Sequence, residues 1–406
     1  MFTSDRAPSL KTVLLASGLV LTLAMGVRHG FGFWMQPISQ ANGWTRETYS
    51  LALAVQNLMW GVFGPFAGMA ADRFGTMRVV LVGALAYMAG LVWMALVTNA
   101  TLFVLGSGVL IGFALACTAF GAISGIIGRV ATPQQRSWAF GISGAAGSFG
   151  QFLMMPIEQQ MISQFGWQAA FYMLAALVML AMVPMAFFLR EPAHEHGHGP
   201  QQSIGHALGE ALRNRSFLLL VAGYFVCGFQ LVFIGVHLPA YLKDKGLANG
   251  SIAVTALALI GLFNIIGSYQ AGKLGGRLPK RYLLSAIYFI RAAVISLFLL
   301  APLSAWSVYV FAAAMGLIWL STVPLTNGVI AGIFGVKHMS MLAGVVFFSH
   351  QVGSFIGVWL GGYMFTKLGS YDMVWAISIG LGVMAGLINL PIDERPLVRE
   401  RERAAA

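Results

Sequence analysis

The feature that most constrains this chain is a series of apolar stretches, each long enough to cross a lipid bilayer as a single helix. Such a crossing takes about 20 residues, because the hydrocarbon layer is roughly 30 Å thick. Only 9% of the residues are charged and 58% are hydrophobic, whereas soluble domains carry about 25% charged residues. The sequence therefore predicts an all-α membrane protein with twelve transmembrane helices, near 13–37, 48–69, 78–98, 101–126, 137–161, 167–189, 217–241, 250–272, 282–301, 305–330, 339–366 and 373–390.

One long polar segment, 190–216, follows the sixth stretch and divides the chain into two sets of six helices. We expect an N-terminal bundle over 1–189, a cytoplasmic central loop over 190–216, a C-terminal bundle over 217–392 and a cytoplasmic tail over 393–406. The two cysteines lie in apolar stretches and indicate neither a disulfide nor a thiolate metal site.

Lysine and arginine are concentrated in the termini and in alternate loops. The remaining loops hold only Arg46, Lys243, Lys245 and Lys367. Cytoplasmic loops carry the excess of basic residues, so both termini are expected in the cytoplasm, with the protein in the cytoplasmic (inner) membrane. This topology explains the net charge of +11 without a nucleic-acid partner.

A short motif recurs between the two halves. GMAADRFGTMR joins the second and third stretches, and GKLGGRLPKR joins the eighth and ninth. The first resembles the loop 2–3 signature of the major facilitator superfamily, which implies two pseudo-symmetric six-helix bundles, alternating access and a conformational latch. In the second copy Gly276 replaces the acidic residue. The alternative is a charged turn that only fixes topology. The latch residues are Gly68, Asp72, Arg73, Gly75, Arg78 and Arg277.

Basic side chains lie within the apolar stretches, where their cost of roughly 2.5–3.5 kcal/mol makes each a candidate for function. Arg28, His29, Arg291 and His350 lie at depth. The acidic residues map to termini, loops or helix ends, with Glu47, Asp72 and Glu158 the least clear cases, so no acid is expected at that depth. A basic cavity without a fixed counter-charge favours an anionic ligand.

Helical spacing suggests which of these side chains face the pathway. His29 shares a face with Thr22, Gly26, Phe33 and Gln36, which is predicted to line the cavity. Arg28 lies about 100° away and is expected between helices, reaching the cavity by its long stem or bonding to carbonyls. A packing histidine and a structural arginine are the alternatives.

His350 resembles His29 in setting, with Phe347 on its face. Histidine titrates near neutral pH, so His29 and His350 are the candidates for proton coupling. Arg291 is either an anion ligand or an interhelical lock bonded to carbonyls and Tyr288. The predicted substrate-binding residues are Arg28, His29, Phe33, Tyr224, Gln230, Phe347, His350 and Arg291, and the polar members could equally be interhelical hydrogen bonds.

Within the superfamily, RHGFGFW at 28–34 is similar to the first helix of the monocarboxylate transporter and oxalate/formate antiporter branch. The eighth stretch departs from that branch, because Asn264 and Ser268 stand where an acidic residue and an arginine are usual. The resemblance implies a monomeric secondary transporter that carries small organic anions, monocarboxylates in particular, by proton symport or anion exchange. Its partners are the anion, protons or a counter-anion and the lipid bilayer, and no cofactor is expected.

Two other functions are considered. One is an exporter of drugs or toxic compounds with the same fold. The fourth stretch lacks the embedded arginine that is typical of proton antiporters in the drug-export groups, which argues against this function. The other is a metal-handling protein that uses His194, His196, His198 and His206, although no thiolate or fixed acid accompanies them. No nucleophile and base pair indicates an enzyme.

Overall fold

The computed structural model describes residues 8–190, 204–247, 250–335 and 339–397, which form helices and turns only. A short helix, Ile204–Arg213, precedes the seventh membrane helix. The twelve predicted membrane helices are confirmed, as are the two six-helix bundles. They are α1 (Leu10–Asn42), α2 (Arg46–Phe74), α3 (Thr76–Leu96), α4 (Ala100–Val130), α5 (133–165), α6 (167–187), α7 (Arg215–Asp244), α8 (Gly250–Gly275), α9 (Lys280–Leu300), α10 (Ala305–Phe334), α11 (Met339–Leu368) and α12 (Asp372–Asn389).

Several helices depart from regular α geometry. α5 and α6 meet at Gly166, whose φ of 79° is a left-handed conformation that favours glycine, so the two helices join without a loop. α1 contains a 3₁₀ turn, Phe31–Trp34, and then continues to Asn42. α10 is broken between Leu317 and Thr322. Breaks of this kind leave backbone groups that must find other partners inside the membrane.

Glycines bring α1 against α5 and α7 against α11. A Cβ added at Gly150 of α5 would overlap the backbone of Thr22 in α1. In the C-terminal bundle, a Cβ at Gly228 of α7 would overlap the carbonyl of His350, and one at Gly353 would overlap the carbonyl of Phe225. Small residues allow membrane helices to approach this closely. The two bundles therefore repeat one packing arrangement.

The halves α1–α6 and α7–α12 contact each other at one end of the molecule. We call it the loop 1–2 end, because residues 43–45 turn there. A Cβ at Gly32 of α1 would lie 2.7 Å from the Gly235 carbonyl of α7, and one at Gly362 of α11 would lie 2.5 Å from the Ser50 hydroxyl of α2. Such close approach leaves no room for a ligand to pass between these helices.

The halves separate towards the opposite end, the loop 2–3 end, where Gly75 turns the chain. On the α2 face that contacts α11 at Gly61, no described atom lies within 4 Å of a Cβ placed at Gly64 or Gly68. The same holds for Gly141 and Gly144 of α5. The space between the halves is thus closed at the loop 1–2 end and open towards the loop 2–3 end.

Candidate functional site

One arginine and four side chains with aromatic rings form a row that crosses from one half to the other. The Arg28 guanidinium carbon lies 4.8 Å from the centre of the Trp60 ring, and Trp60 packs edge-on against Phe347 of α11 at 5.2 Å. Phe347 stacks with His350 at 5.9 Å, and His350 lies 5.2 Å from Tyr224 of α7. Four of these residues were predicted as substrate ligands, and the structure brings them together. We call the five residues the central row.

Arg28 has only neutral partners within the described part of the chain. Its Nη2 donates to the side-chain oxygen of Asn57, whose amide donates to the Leu53 carbonyl at 2.7 Å. Its Nε is buried without a partner among the described residues. The sequence predicted a position between helices for Arg28, and the structure adds that an amide and an indole, rather than carbonyls, surround it. The charge on Arg28 is therefore uncompensated by a carboxylate there.

Trp60 was not singled out from the sequence. It follows Asn57 by one helical turn on α2, and that spacing was the available signal. Its ring contacts Arg28 on one side and Phe347 on the other. A large aromatic ring at the boundary between the halves can contact the apolar part of a ligand.

His350 lies in a polar pocket of the C-terminal half. The side chain is 8% exposed, and its Nδ1 is 3.3 Å from the Gln351 oxygen and 3.4 Å from the Ser354 hydroxyl. The thiol of Cys227 lies 3.4 Å from the Thr322 hydroxyl. The side chains of this pocket can donate a hydrogen bond to a ligand or accept one from it.

Arg291 is fully buried in the C-terminal half, and the hydrogen bonds of its guanidinium to backbone carbonyls go to none of the central-row residues. Its Nη2 donates to the carbonyls of Ile318 and Trp319, each at 2.6 Å, and its guanidinium lies 5.3 Å from the Tyr288 ring. These carbonyls lie at the break of α10, where a half-helix ends and carries partial negative charge. This geometry is the interhelical lock considered above. Binding of substrate by Arg291 stays a prediction.

Three other predicted ligands lie outside the central row. His29 is half-buried, with Nδ1 2.6 Å from the Met25 carbonyl of its own helix. Gln230 donates to the Ser378 carbonyl of α12 at 2.8 Å and so lies between α7 and α12. Phe33 is 8% exposed within the 3₁₀ turn of α1. Their roles in binding stay predictions.

The predicted cavity face of α1 is wrong at two of its positions. The Thr22 hydroxyl donates to the Ala146 carbonyl of α5 at 3.0 Å, and a Cβ at Gly26 would lie 2.8 Å from the Gly150 carbonyl. Both residues therefore face α5. Small and hydroxyl-bearing residues at helical spacing favour a helix contact as strongly as a cavity, and here the contact is formed.

The prediction that no acid lies at depth is also wrong. The Glu158 side chain has no exposed area, and its Oε2 accepts from Trp34 Nε1 at 3.2 Å. The sequence placed the end of the fifth helix at residue 161, near Glu158, whereas α5 continues to residue 165. Glu158 pairs with no arginine among the described residues, so it does not neutralise Arg28 or Arg291.

The predicted latch lies at the loop 2–3 end. Gly75 adopts a φ of 90° between α2 and α3, a conformation that requires glycine. Arg73 is exposed, with its guanidinium 5.3 Å from the Phe74 ring, and Arg78 and Arg277 are exposed as well. The side chain of Asp72 lies outside the described part of the structure. The latching role stays a prediction.

A cluster that sequence reasoning missed joins the halves at the loop 1–2 end. Arg46 at the start of α2 forms a two-point ion pair with Asp244 at the end of α7, with Nη2 2.7 Å from Oδ1. Its Nη1 donates to the Tyr371 hydroxyl at 3.0 Å, and its guanidinium lies 3.8 Å from the Phe365 ring. Burial raises the pKa of Tyr371 to about 12, so the hydroxyl stays protonated near neutral pH. The only signal was the position of both ions at helix ends on the same side.

The described residues contain no group of three or more side chains able to hold a metal ion. His206 is exposed on the short helix before α7. His194, His196 and His198 lie outside the described residues.

Residues 14–328 match the family described as the Major Facilitator Superfamily. The chain is a member of this superfamily. It is 27% identical to an uncharacterised MFS-type transporter, YcxA, of Bacillus subtilis over 95% of each chain. It is 26% identical to human monocarboxylate transporter 11 over 84% of this chain and 73% of that protein. It is also 26% identical to the class E tetracycline resistance protein of Escherichia coli over 93% and 94%.

A solved structure shares the fold. It is a bacterial homolog of the human lysosomal transporter Spinster, with a TM-score of 0.76, 16% identity and coverage of 94% of this chain and 96% of that one. This major facilitator protein is therefore a multi-pass membrane transporter, and not an enzyme. The resemblance to the monocarboxylate branch that the first helix indicated is supported by the human relative.

Proposed function

We propose that this protein carries small organic anions, monocarboxylates in particular, across the cytoplasmic membrane by alternating access. One observation supports this most strongly: Arg28 lies at the boundary between the halves with an amide and an indole as partners and with no carboxylate among the described residues. A half-buried cation inside the membrane without a counter-ion is costly, and a bound anion removes that cost. The ligand itself then supplies the missing charge.

The central row gives each part of such a ligand a partner. Arg28 takes the carboxylate, Trp60 and Phe347 contact the apolar part, and His350 with Tyr224 donates to the remaining polar atoms. Charge-assisted hydrogen bonds to guanidinium are the strong ones, so Arg28 contributes most of the selectivity for an anion. In this proposal His29, Phe33 and Gln230 support the site from neighbouring positions, and Arg291 acts as the interhelical lock.

Alternating access follows from the shape. The bundles over 1–189 and 217–392 move against each other, while 190–216 connects them and 393–406 forms the tail. The basic residues of the loops favour a cytoplasmic loop 2–3 end, and with that orientation the described form opens inward. An anion that contacts both halves favours their closure around it. Transport is coupled either to protons, with His29 and His350 as candidate carriers, or to a counter-anion.

Export of a drug is the second candidate. The relative named for tetracycline resistance favours it, as does the 39% exposed ring of Phe348 beside the central row. Planar apolar compounds could stack on these rings. The lack of an acidic partner in the central row weighs against cationic drugs.

Uptake by proteoliposomes decides between the two. Purified protein is reconstituted and radiolabelled lactate is offered with and without an imposed pH gradient. We expect saturable lactate uptake that excess unlabelled pyruvate suppresses and tetracycline does not. Transport of tetracycline, together with no uptake of any monocarboxylate, would overturn the proposal.

A further inference from the structure

Glu158 is a fully buried carboxyl group that the site described above does not use. Oε2 accepts one hydrogen bond, from Trp34, and Oε1 has no partner in the described part of the chain. An ionised carboxylate with one neutral donor is costly inside a membrane, whereas the neutral acid is tolerated. The surroundings therefore suit a carboxyl group that holds a proton in this conformation.

The space around this carboxyl group is formed by its neighbours. A side chain at Gly30 of α1 would overlap the carboxyl group, so glycine leaves room for the acid at the contact between α1 and α5. The Trp34 ring stacks on Phe171 of α6, with centres 3.9 Å apart and planes 11° from parallel. This stacking fixes the indole N–H that points at Glu158.

Two titratable groups lie around it, and both are engaged elsewhere. Tyr49 of α2 and Tyr87 of α3 donate their hydroxyls to backbone carbonyls of α1, at 2.7 and 3.1 Å. Arg28 leaves α1 towards α2, and His29 bonds to its own helix. No charged side chain among the described residues pairs with Glu158. A proton bound to Glu158 is therefore not shared with a second described side chain.

The 3₁₀ turn Phe31–Trp34 connects Glu158 to the contact between the halves. Trp34 donates to Glu158, while Gly32 of the same turn packs against the Gly235 carbonyl of α7 at the closed end. A 3₁₀ turn within a longer helix often marks a hinge. A change of charge at Glu158 thus acts on the turn that closes the loop 1–2 end.

We propose that Glu158 is the proton-binding site that couples proton movement to opening of the loop 1–2 end. In the described form the acid is neutral. When that end opens, the carboxylate takes up a proton from the water that reaches it, and the O–H bond that forms is kept through closure. In the form that is open towards the loop 2–3 end, the O–H bond breaks when water enters from that end, and the proton passes to that water on the opposite side of the membrane. This inference rests on the proposed function as a secondary transporter, and it assigns coupling to Glu158 rather than to His29 or His350.

Glu158→Gln tests this, because glutamine keeps an acceptor for Trp34 and resembles the neutral acid. In proteoliposomes we expect lactate accumulation driven by a pH gradient to fall at least tenfold, while lactate exchange at equal pH stays within twofold of the unaltered protein. Glu47→Gln, the same change near the start of α2, should leave both rates unaltered. Retention of both rates in Glu158→Gln would overturn the proposal and leave Glu158 a structural residue.

Infrared spectroscopy gives a readout that does not depend on lactate. The difference spectrum of purified protein between acidic and alkaline solution should contain the C=O stretch of a buried carboxylic acid, and Glu158→Gln should lose it. If Glu158→Gln transports nothing at all, this band decides, and its persistence in the variant overturns the assignment. If the unaltered protein does not transport lactate, the substrate proposal fails while the band still tests Glu158.

Discussion

At the scale of single residues, the proposed binding of an anion depends on Arg28 and on its partners. The sequence identified the residue from its cost in an apolar helix, and the structure shows an amide and an aromatic ring as its partners. An arginine that only joined helices would be expected to bond to carbonyls, as Arg291 does. The two intramembrane arginines, Arg28 and Arg291, are therefore expected to respond differently to substitution.

Arg28→Gln should reduce lactate uptake by roughly 10- to 100-fold, because a hydrogen bond to a charged group contributes about 1.5–3 kcal/mol. The initial rate at low lactate concentration measures this. Lys245→Gln, which removes an exposed positive charge beyond α7, should leave the rate unaltered. Equal losses in both variants would mean that net charge, rather than a site at Arg28, attracts the anion.

Arg291→Met should lower stability and leave lactate affinity unaltered. The substitution strips the donors from two buried carbonyls, at a cost of about 1–3 kcal/mol for each group left unsatisfied. We expect the melting temperature in detergent to fall by about 5 °C. A loss of lactate binding without a loss of stability would instead make Arg291 a ligand.

Some of these residues could not be identified from the sequence, for a physical reason. Arg28 and His350 were found because charge in an apolar helix is costly wherever it faces. Trp60 is apolar enough to suit lipid, packing or a ligand, so only its contacts with Arg28 and Phe347 distinguish it. Gln230 is the converse case, because it was predicted as a ligand from its polarity within an apolar stretch. Its partner is the Ser378 carbonyl on another helix, which the sequence does not reveal.

At the scale of helices, hydropathy predicts where each one lies but not how it ends or which face it buries. Gly166 permits α5 and α6 to meet in a single left-handed residue, and so α5 is longer than its apolar stretch. Glu158 therefore lies seven residues before the end of α5, where it contacts Trp34 of α1. Thr22 and Gly26 show the same limit, since spacing alone cannot distinguish a cavity face from a helix contact.

The start of α2 and the end of α7 hold the closed end together through Arg46 and Asp244. Both side chains are partly buried, at 16% and 29% exposure, and the pair has two hydrogen bonds, which favours a stable contact. Asp244→Asn should therefore increase the population that is open at the loop 1–2 end. The sign follows because the pair exists only when that end is closed.

Chemical labelling measures this opening. Ser50→Cys, placed in protein that carries Cys117→Ala and Cys227→Ala, puts a thiol in the closed contact beneath Gly362. A membrane-impermeant maleimide should label it several-fold faster when Asp244→Asn is added. Combining Arg46→Asp with Asp244→Arg should restore slow labelling. Unaltered labelling in Asp244→Asn would show that the ion pair does not hold this end closed.

At the scale of the whole molecule, the fold was predictable and the site only in part. The superfamily is indicated by the twelve apolar stretches, the repeated loop motif and the excess of basic residues in alternate loops. Such a prediction is possible because lipid limits the architectures that a chain can adopt. The candidate site lies between the halves, where residues as distant in sequence as Trp60 and Phe347 meet. No periodicity within one helix carries that information.

The central claim is that the space between the halves binds a ligand because the ligand is negatively charged. Calorimetric titration of the purified protein with lactate and with lactamide, its neutral analogue of nearly equal shape, tests it most directly. We expect lactate to bind, lactamide not to bind, and lactate binding to disappear in Arg28→Gln. Equal binding of the acid and the amide, or undiminished lactate binding in Arg28→Gln, would contradict it.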